Sequence, residues 1–231
     1  MRRYKLVRRI GVGERSQVFE ADDLRTGRRV ALKCPREGRR DSTLMESLRD
    51  EAAALRTSRS GLVVVVEQDY ALGDSHIVMA LAKGSSLARH LELWGAVDLE
   101  LGIRVGVNLC HVVRRSREEG FEVSRIKPTD VLIDRTRRLY GLPEMTVVGL
   151  EARRLATGER QTWSAELKAV ASLVRTIALS EASLGNGEPS VATALRRVLD
   201  IAEGREPSLY YPTVNGLLHG LLRARQGQAP K

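Results

Sequence analysis

The stretch GVGERSQVFEADDLRTGRRVALK, residues 11–33, contains the pattern on which the prediction of the fold rests. Gly11 and Gly13 lie between two segments in which apolar and polar residues alternate, so two strands joined by a glycine-containing turn are predicted. A glycine, having no side chain, allows a phosphate to approach the backbone closely. A pair of glycines alone is more typical of an ordinary hairpin, so the residues that follow decide the interpretation.

Two charged residues, Lys33 and Glu51, follow these glycines in the chain. Lys33 stands on the predicted third strand, and Glu51 follows inside a helical pattern with one apolar face. Two further strands are predicted after this helix, joined by a turn at residues 73–74. Three strands, one helix and two strands in this order are typical of an α+β lobe.

Helices predominate after residue 85. Apolar stripes predict helices within residues 97–120, 165–180, 190–204 and 213–225, and a short strand, VLID, is predicted at residues 131–134. In this order and at these spacings the chain resembles a bacterial eukaryotic-like Ser/Thr protein kinase domain, from Tyr4 to about Arg225. The resemblance implies a bilobal fold, with a five-stranded N-lobe carrying one helix at residues 1–82, a reduced and mainly helical C-lobe at 83–225, and a tail at 226–231.

The resemblance also implies a nucleotide site. In the family a glycine-rich loop covers ATP, and a strand lysine paired with a helix glutamate holds its phosphates. Each matching residue has a second interpretation as an ordinary surface or core residue, and the ion pair of Lys33 with Glu51 could be only structural. The residues that match the nucleotide site are Gly11, Gly13, Ser16, Val18, Ala31, Lys33, Glu51, Met79, Leu81 and Leu132.

The segment EVSRIKPTDVLID, residues 122–134, resembles the catalytic loop of that family with its catalyst replaced. Aligned on Lys127, the position of the catalytic aspartate is Arg125, whose guanidinium is always protonated and accepts no proton. The metal-binding asparagine is replaced by Asp130, which is a candidate Mg²⁺ ligand and, on the other interpretation, a polar loop residue.

The second metal ligand of the family is also replaced. The sequence at the expected place is Val147, Val148 and Gly149, with valine where the family has aspartate, and no aspartate occurs between Asp134 and Asp200. The segment between Gly149 and Glu166 is too short for a full activation loop.

These replacements favour a catalytically inactive kinase-like protein that acts as a binding or allosteric regulatory module for an unidentified protein partner. Binding of ATP or ADP, with weak or no binding of Mg²⁺, is a further hypothesis. The alternative is an active Ser/Thr protein kinase with atypical residues, using Asp130 or Asp134 to hold the metal. A third hypothesis is a basic adaptor that binds nucleic acid or an acidic protein.

Composition limits these choices. The net charge is +9, but few aromatic residues accompany the arginines, so nucleic-acid binding is disfavoured. The two cysteines, Cys34 and Cys110, have neither disulfide-framework nor metal-site spacing. The N-terminus has no apolar segment typical of a signal peptide, and no apolar run is long enough to span a bilayer. A cytoplasmic protein without membrane association is therefore expected.

Overall fold

A five-stranded antiparallel sheet forms the N-terminal part of the computed structural model, which describes residues 3–36, 42–57, 65–69, 76–95, 97–139, 142–156, 162–179 and 189–230. The strand order is β1-β2-β3-β5-β4, and the five strands confirm the number predicted for the N-lobe. The turn predicted at residues 73–74 lies outside the described residues. The strands are β1 (Tyr4–Val12), β2 (Ser16–Asp23), β3 (Arg28–Pro35), β4 (Val65–Asp69) and β5 (His76–Ala80).

The alternation along β3 separates the two faces of this sheet. Ala31 faces the main hydrophobic core together with Met79 of β5, with which it is paired in register. Leu32 points to the other face, where it packs in a smaller cluster with Val78. Successive side chains of a strand point to opposite faces, so Lys33 lies on the same face as Ala31. That face is the one covered by the helix.

Helix α1 (Ser42–Thr57) covers this face. Its buried residues include Leu44, Leu48 and Ala52, and Glu51 is buried beside them. The same helix contacts the C-terminal part of the chain, because the carboxylate of Asp50 accepts a hydrogen bond of 3.1 Å from the backbone N–H of Arg154. Helix α1 therefore connects the sheet to the segment that follows the candidate site.

Helices form most of the C-terminal part. Ser86 caps the first of them, and the Asp98 carboxylate caps the second by accepting a 2.7 Å hydrogen bond from Leu101 N–H. The helix at residues 87–94 is absent from the sequence-based prediction, and it is only eight residues long. The helices of this part are α2 (Leu87–Trp94), α3 (Leu99–Glu118), α4 (Ser164–Ala178), α5 (Pro189–Glu203) and α6 (Val214–Ala224).

Two small sheets hold the segment between α3 and α4. The predicted short strand at residues 131–134 is the first part of a nine-residue strand, and this strand pairs with the one that follows it. One sheet has the order β6-β8-β9 and the other consists of β7 and β10. Their strands are β6 (Ser85–Ser86), β7 (Phe121–Arg125), β8 (Val131–Leu139), β9 (Leu142–Val147) and β10 (Glu151–Arg154).

One hydrophobic core runs through both parts. The same cluster contains Leu44 of α1, Ile77 of β5, Leu109 of α3 and Leu221 of α6. The division predicted at residue 82 falls in the connection between β5 and β6 and stays a prediction. Among the described residues, no helix combines the length and the apolar character needed to cross a membrane.

Candidate functional site

Lys33 and Glu51 form a close ion pair on the inner face of the sheet. The Nζ atom of Lys33 lies 2.6 Å from each carboxylate oxygen of Glu51. The two side chains are only 15% and 7% exposed. Pairing and burial at this place follow from the fold, because β3 and α1 present these positions to each other. The predicted contact between the two residues is therefore present.

Burial raises the pKa of the Glu51 carboxyl above its ordinary value, and the nearby Asp130 carboxylate acts in the same direction. Lys33 opposes this shift, as does a hydrogen bond from the backbone N–H of Leu150. Removing a charged group from water disfavours its charged form, and a close cation restores it. The charge on Glu51 therefore depends on its partner.

Gly149 lies between two carboxylates. A Cβ atom at this position would stand 3.1 Å from Oδ1 of Asp130 and 3.2 Å from Oε1 of Glu51. The backbone C=O of Asp130 accepts a 2.7 Å hydrogen bond from Val148 N–H, and its Oδ2 accepts one of 3.0 Å from Lys127 N–H. The absence of a side chain at Gly149 allows both carboxylates to approach.

These carboxylates limit the metal that the site could hold. Mg²⁺ in kinases is bound by one or two protein carboxylates together with nucleotide phosphates. Glu51 is already paired with Lys33, which leaves Asp130 as the available ligand. In the part of the chain that the structure describes, no group of three acidic, histidine or cysteine residues is arranged to hold a metal ion. One carboxylate at this place, that of Asp130, could therefore help to hold Mg²⁺ together with nucleotide phosphates.

The glycine-containing turn between β1 and β2 is held by its own backbone. Gly13 N–H donates a 2.8 Å hydrogen bond to the C=O of Ser16, and the Arg36 guanidinium donates one of 3.4 Å to the C=O of Gly13. Neither Gly11 nor Gly13 has a positive φ angle. Glycine is therefore not required here by backbone conformation, and a Cβ atom would be in van der Waals contact with Val18 at Gly11 and with Ser16 at Gly13.

Apolar residues adjoin the ion pair. Val18 of β2 is paired in register with Lys33, and Ala31 of β3 is paired with Met79 of β5. Leu81, partly buried, follows β5 directly. Leu132 lies on a different sheet, where it is paired with Ser86 of β6. Four of the predicted site residues therefore form two pairs that lie directly opposite each other on neighbouring strands: Val18 with Lys33, and Ala31 with Met79.

Arg125, at the position where the family has its catalytic base, forms an ion pair with Glu151. Arg125 is 62% exposed, and its NH1 atom lies 3.8 Å from the Glu151 carboxylate, with which it is also paired in register across β7 and β10. Lys127 binds the same carboxylate at 2.9 Å. This role of Glu151 is not visible in the sequence, because the partner is set by the pairing of two strands that are far apart in the chain.

The remaining acidic candidates do not complete a metal site. Val147, where the family has aspartate, is fully buried at the end of β9 and is paired with Val131. Asp134 accepts hydrogen bonds from the backbone N–H and the hydroxyl of Thr136, at 2.9 Å and 2.6 Å. Asp134 lies within strand β8, where both bonds are accepted by its Oδ1 atom, so the structure does not place it in a turn.

A buried ion pair joins helix α3 to helix α4. Arg117 of α3 donates from Nε to a carboxylate oxygen of Glu166 at 2.7 Å, and its NH2 group donates to the C=O of Thr162 at 2.8 Å. Its guanidinium also lies over the ring of Trp163, at 4.9 Å from the ring centre. Nothing in the sequence distinguishes Arg117 from the many other arginines of the chain.

Comparisons with known proteins agree with this architecture. No family model matches the chain. The chain is 31% identical over 141 residues to a probable serine/threonine-protein kinase of Corynebacterium efficiens, which covers 58% of this chain and 21% of that protein. It is 29% identical over 140 residues to a probable serine/threonine-protein kinase, PknB, of Corynebacterium glutamicum, which covers 58% of this chain and 22% of the relative.

Among solved structures, the kinase domain of Mycobacterium tuberculosis PknI matches with a TM-score of 0.70 at 15% identity, and the match covers 96% of each chain. The chain therefore has a protein-kinase-like fold, and its relatives are bacterial serine/threonine protein kinases. It spans about one fifth of the length of the curated relatives it matches.

Proposed function

We propose that this protein is a catalytically inactive, kinase-like regulatory module that binds a protein partner and retains the capacity to bind ATP or ADP. The observation that carries the proposal is the ion pair between Arg125 and Glu151 at the place of the catalytic base. A guanidinium at this position cannot receive the proton of an attacking hydroxyl. Lys127, which lies beside it, is also bound to Glu151.

The metal chemistry supports the same conclusion. Phosphoryl transfer depends on positioning and on neutralising the phosphate oxygens, for which kinases use two metal ligands. Val147 replaces one of them with a buried apolar side chain. Asp130 remains as one carboxylate, and its Oδ2 is bound to the Lys127 backbone N–H. Loss of the base and of one ligand together disfavours transfer more strongly than either loss alone.

Nucleotide binding is supported by the groups that remain. Lys33 and Glu51 are paired as the resemblance implies, and Gly11 and Gly13 adjoin the turn between β1 and β2. The relatives, which are kinases, suggest nucleotide binding in general. A bound nucleotide would place its phosphates near the Lys33 ammonium. With one carboxylate available, its affinity is expected to depend little on Mg²⁺.

A thermal-shift titration tests nucleotide binding. A ligand that binds only the folded state raises the melting temperature, and the rise grows with its concentration. We expect millimolar ATP or ADP to raise the melting temperature with or without Mg²⁺. Lys33→Met should lose this response, while Lys5→Met, which removes an exposed lysine on β1, should keep it. No shift of the wild-type protein at millimolar nucleotide would contradict nucleotide binding.

A phosphotransfer assay tests inactivity. The alternative, an active kinase with atypical residues, draws support from Asp130, whose carboxylate lies beside Gly149. We expect no transfer from labelled ATP to a generic acceptor or to the protein itself, and no gain in Arg125→Asp, because Val147 still supplies no ligand. Incorporation of label that Lys33→Met abolishes would overturn the proposal in favour of an enzyme.

A further inference from the structure

A pocket of about 360 Å³ opens beside the segment that carries Arg125, between that segment and helix α4. Three cationic side chains line it: Arg125 and Lys127 from the loop, and Lys168 from the helix. Lys168 and Arg125 are exposed, and Lys127 is half-buried. The pocket therefore presents its positive charge to solvent.

Among the described residues, the charge at this pocket is not balanced by its neighbours. Arg125 and Lys127 share one carboxylate, that of Glu151, at 3.8 Å and 2.9 Å. With Lys168, the three cations and this carboxylate leave an excess of positive charge. Glu151 is 48% exposed, so a stronger anion could reach the same two cations from solvent. A dianion would neutralise the excess.

The remaining lining is suited to a peptide. Ile126 and Leu173 are buried side chains that contribute apolar surface beside the cations, and the exposed Ser172 contributes a hydroxyl. A hydroxyl and ammonium or guanidinium groups together donate hydrogen bonds to phosphate oxygens. No aromatic residue is among the described residues that line the pocket, so the stacking by which proteins hold nucleic-acid bases is not available from them.

We propose that this pocket binds a phosphorylated serine or threonine in an extended segment of the protein partner. A phosphate monoester carries about −1.5 to −2 charges at pH 7, which matches the excess of positive charge. Its three oxygens can accept hydrogen bonds from several of the converging donors at once. The inference rests on the proposed role as a binding module but not on nucleotide binding, which uses other residues.

Fluorescence anisotropy with a labelled degenerate peptide mixture that carries one central phosphothreonine tests the site. We expect the phosphorylated mixture to bind about tenfold or more tightly than the same mixture without phosphate, because the contacts are charge-assisted. A mixture with glutamate at that position should bind far more weakly than the phosphorylated one. The proposal would be overturned if all three mixtures bound equally, or if the phosphorylated mixture and the glutamate mixture did.

Matched variants locate the binding. Arg125→Gln/Lys168→Gln should lose most of the preference for phosphate, whereas Arg196→Gln/Arg197→Gln, which removes the same charge from two exposed positions of α5, should keep it. Ser172→Tyr keeps every charge and fills the pocket from an exposed helix position, so it should also weaken binding. Equal losses in both double variants would show general electrostatic attraction and overturn the proposal. A single-stranded DNA probe that binds the same residues more tightly would overturn it as well.

The two proposals fail independently. Lys168→Gln is expected to leave the thermal shift with ATP unchanged, and Lys33→Met is expected to leave the preference for the phosphorylated mixture unchanged. Loss of the ATP response alone contradicts only nucleotide binding. Loss of the preference for phosphate in a folded wild-type protein that still responds to ATP contradicts only the phosphopeptide site.

Discussion

The ammonium group of Lys33 is bound to both carboxylate oxygens of Glu51, and this pair joins strand β3 to helix α1 beneath the glycine-containing turn. Glu51 also lies close to Gly149 of the segment that follows β9. The pair therefore connects three elements of the candidate site, so its loss should be visible in stability as well as in binding.

Lys33→Met is expected to lower the free energy of unfolding by about 3–5 kcal/mol, because it leaves the Glu51 carboxylate buried without its cation. Urea unfolding measures the change. The double variant Lys33→Met/Glu51→Leu removes both charges and should recover most of the loss. A double variant as unstable as the single one would show that the carboxylate is not the cause.

The loss of stability in the single variant Lys33→Met should also depend on pH. Burial already raises the pKa of Glu51 above its ordinary value of 4.5, and removing Lys33 removes a group that opposes this rise. A carboxyl with a higher pKa in the folded state stabilises the fold below its unfolded pKa, and this stabilisation is lost as the pH rises through the folded pKa. The deficit of Lys33→Met should therefore be small near pH 4.5 and larger at pH 7. A deficit independent of pH would contradict this account.

Glu166→Gln is expected to lower the free energy of unfolding by about 3 kcal/mol, because the buried Arg117 then loses its closest counter-charge and is left with the longer 3.7 Å pair with Glu122. The matched control is Glu118→Gln, which breaks an exposed pair with Arg114 and should cost about 0.5 kcal/mol or less. Urea unfolding of the two variants compares the loss of a buried ion pair with the loss of an exposed one. Equal losses would contradict the role assigned to the buried pair.

Tyr211 packs on helix α6 with a hydroxyl that is buried without a hydrogen-bond partner in the described part of the chain. Burial raises its pKa to about 12. Removing an unpaired buried hydroxyl removes a desolvation penalty, so Tyr211→Phe should be neutral or stabilise the protein by about 1 kcal/mol. Thermal unfolding measures the change.

The contact partner of this hydroxyl provides a second test. A Cβ atom at Gly220 would stand 2.5 Å from the Tyr211 hydroxyl oxygen, so Gly220→Ala should destabilise the protein. The same substitution should cost less in the Tyr211→Phe background, where the obstructing oxygen is gone. A double-mutant cycle that shows no coupling would contradict the packing described here.

Both cysteines should resist modification in the folded protein. Burial raises the pKa of the Cys110 thiol to about 12, and Cys34 is also buried. Because the thiolate is the reactive form, a thiol reagent at pH 8 should label neither residue until the protein unfolds. Labelling monitored by mass spectrometry during a urea titration should follow the unfolding curve. Rapid labelling without urea would contradict the burial of the thiol that reacts.

The pairing of Lys33 with Glu51 is implied by the resemblance to protein kinases, whereas the strands of the N-terminal sheet are predictable from the local alternation of apolar and polar residues. The helix at residues 87–94 is not, since eight residues give little periodic signal. The strand that begins at Val131 is longer than predicted, because it gains its length by pairing with β9. A local sequence pattern does not show which distant segments of the chain pair with each other.

The same limit applies to the site. Arg125 can be assigned to the place of the base from the sequence, but its partner Glu151 depends on the register of β7 with β10. The pocket beside Lys168 depends on how helix α4 approaches the loop. Gly149 is recognisable as a surviving glycine, whereas its position between two carboxylates requires the fold.

The apolar cluster shared by α1, β5, α3 and α6 has a consequence for attempts to divide the protein. Fragments made by cutting the chain near residue 82 would each expose the half of this cluster that the other half covers. Neither fragment is expected to be soluble when expressed alone, and co-expression should restore a folded product only if the two halves reassemble. The polypeptide should accordingly melt in one cooperative step.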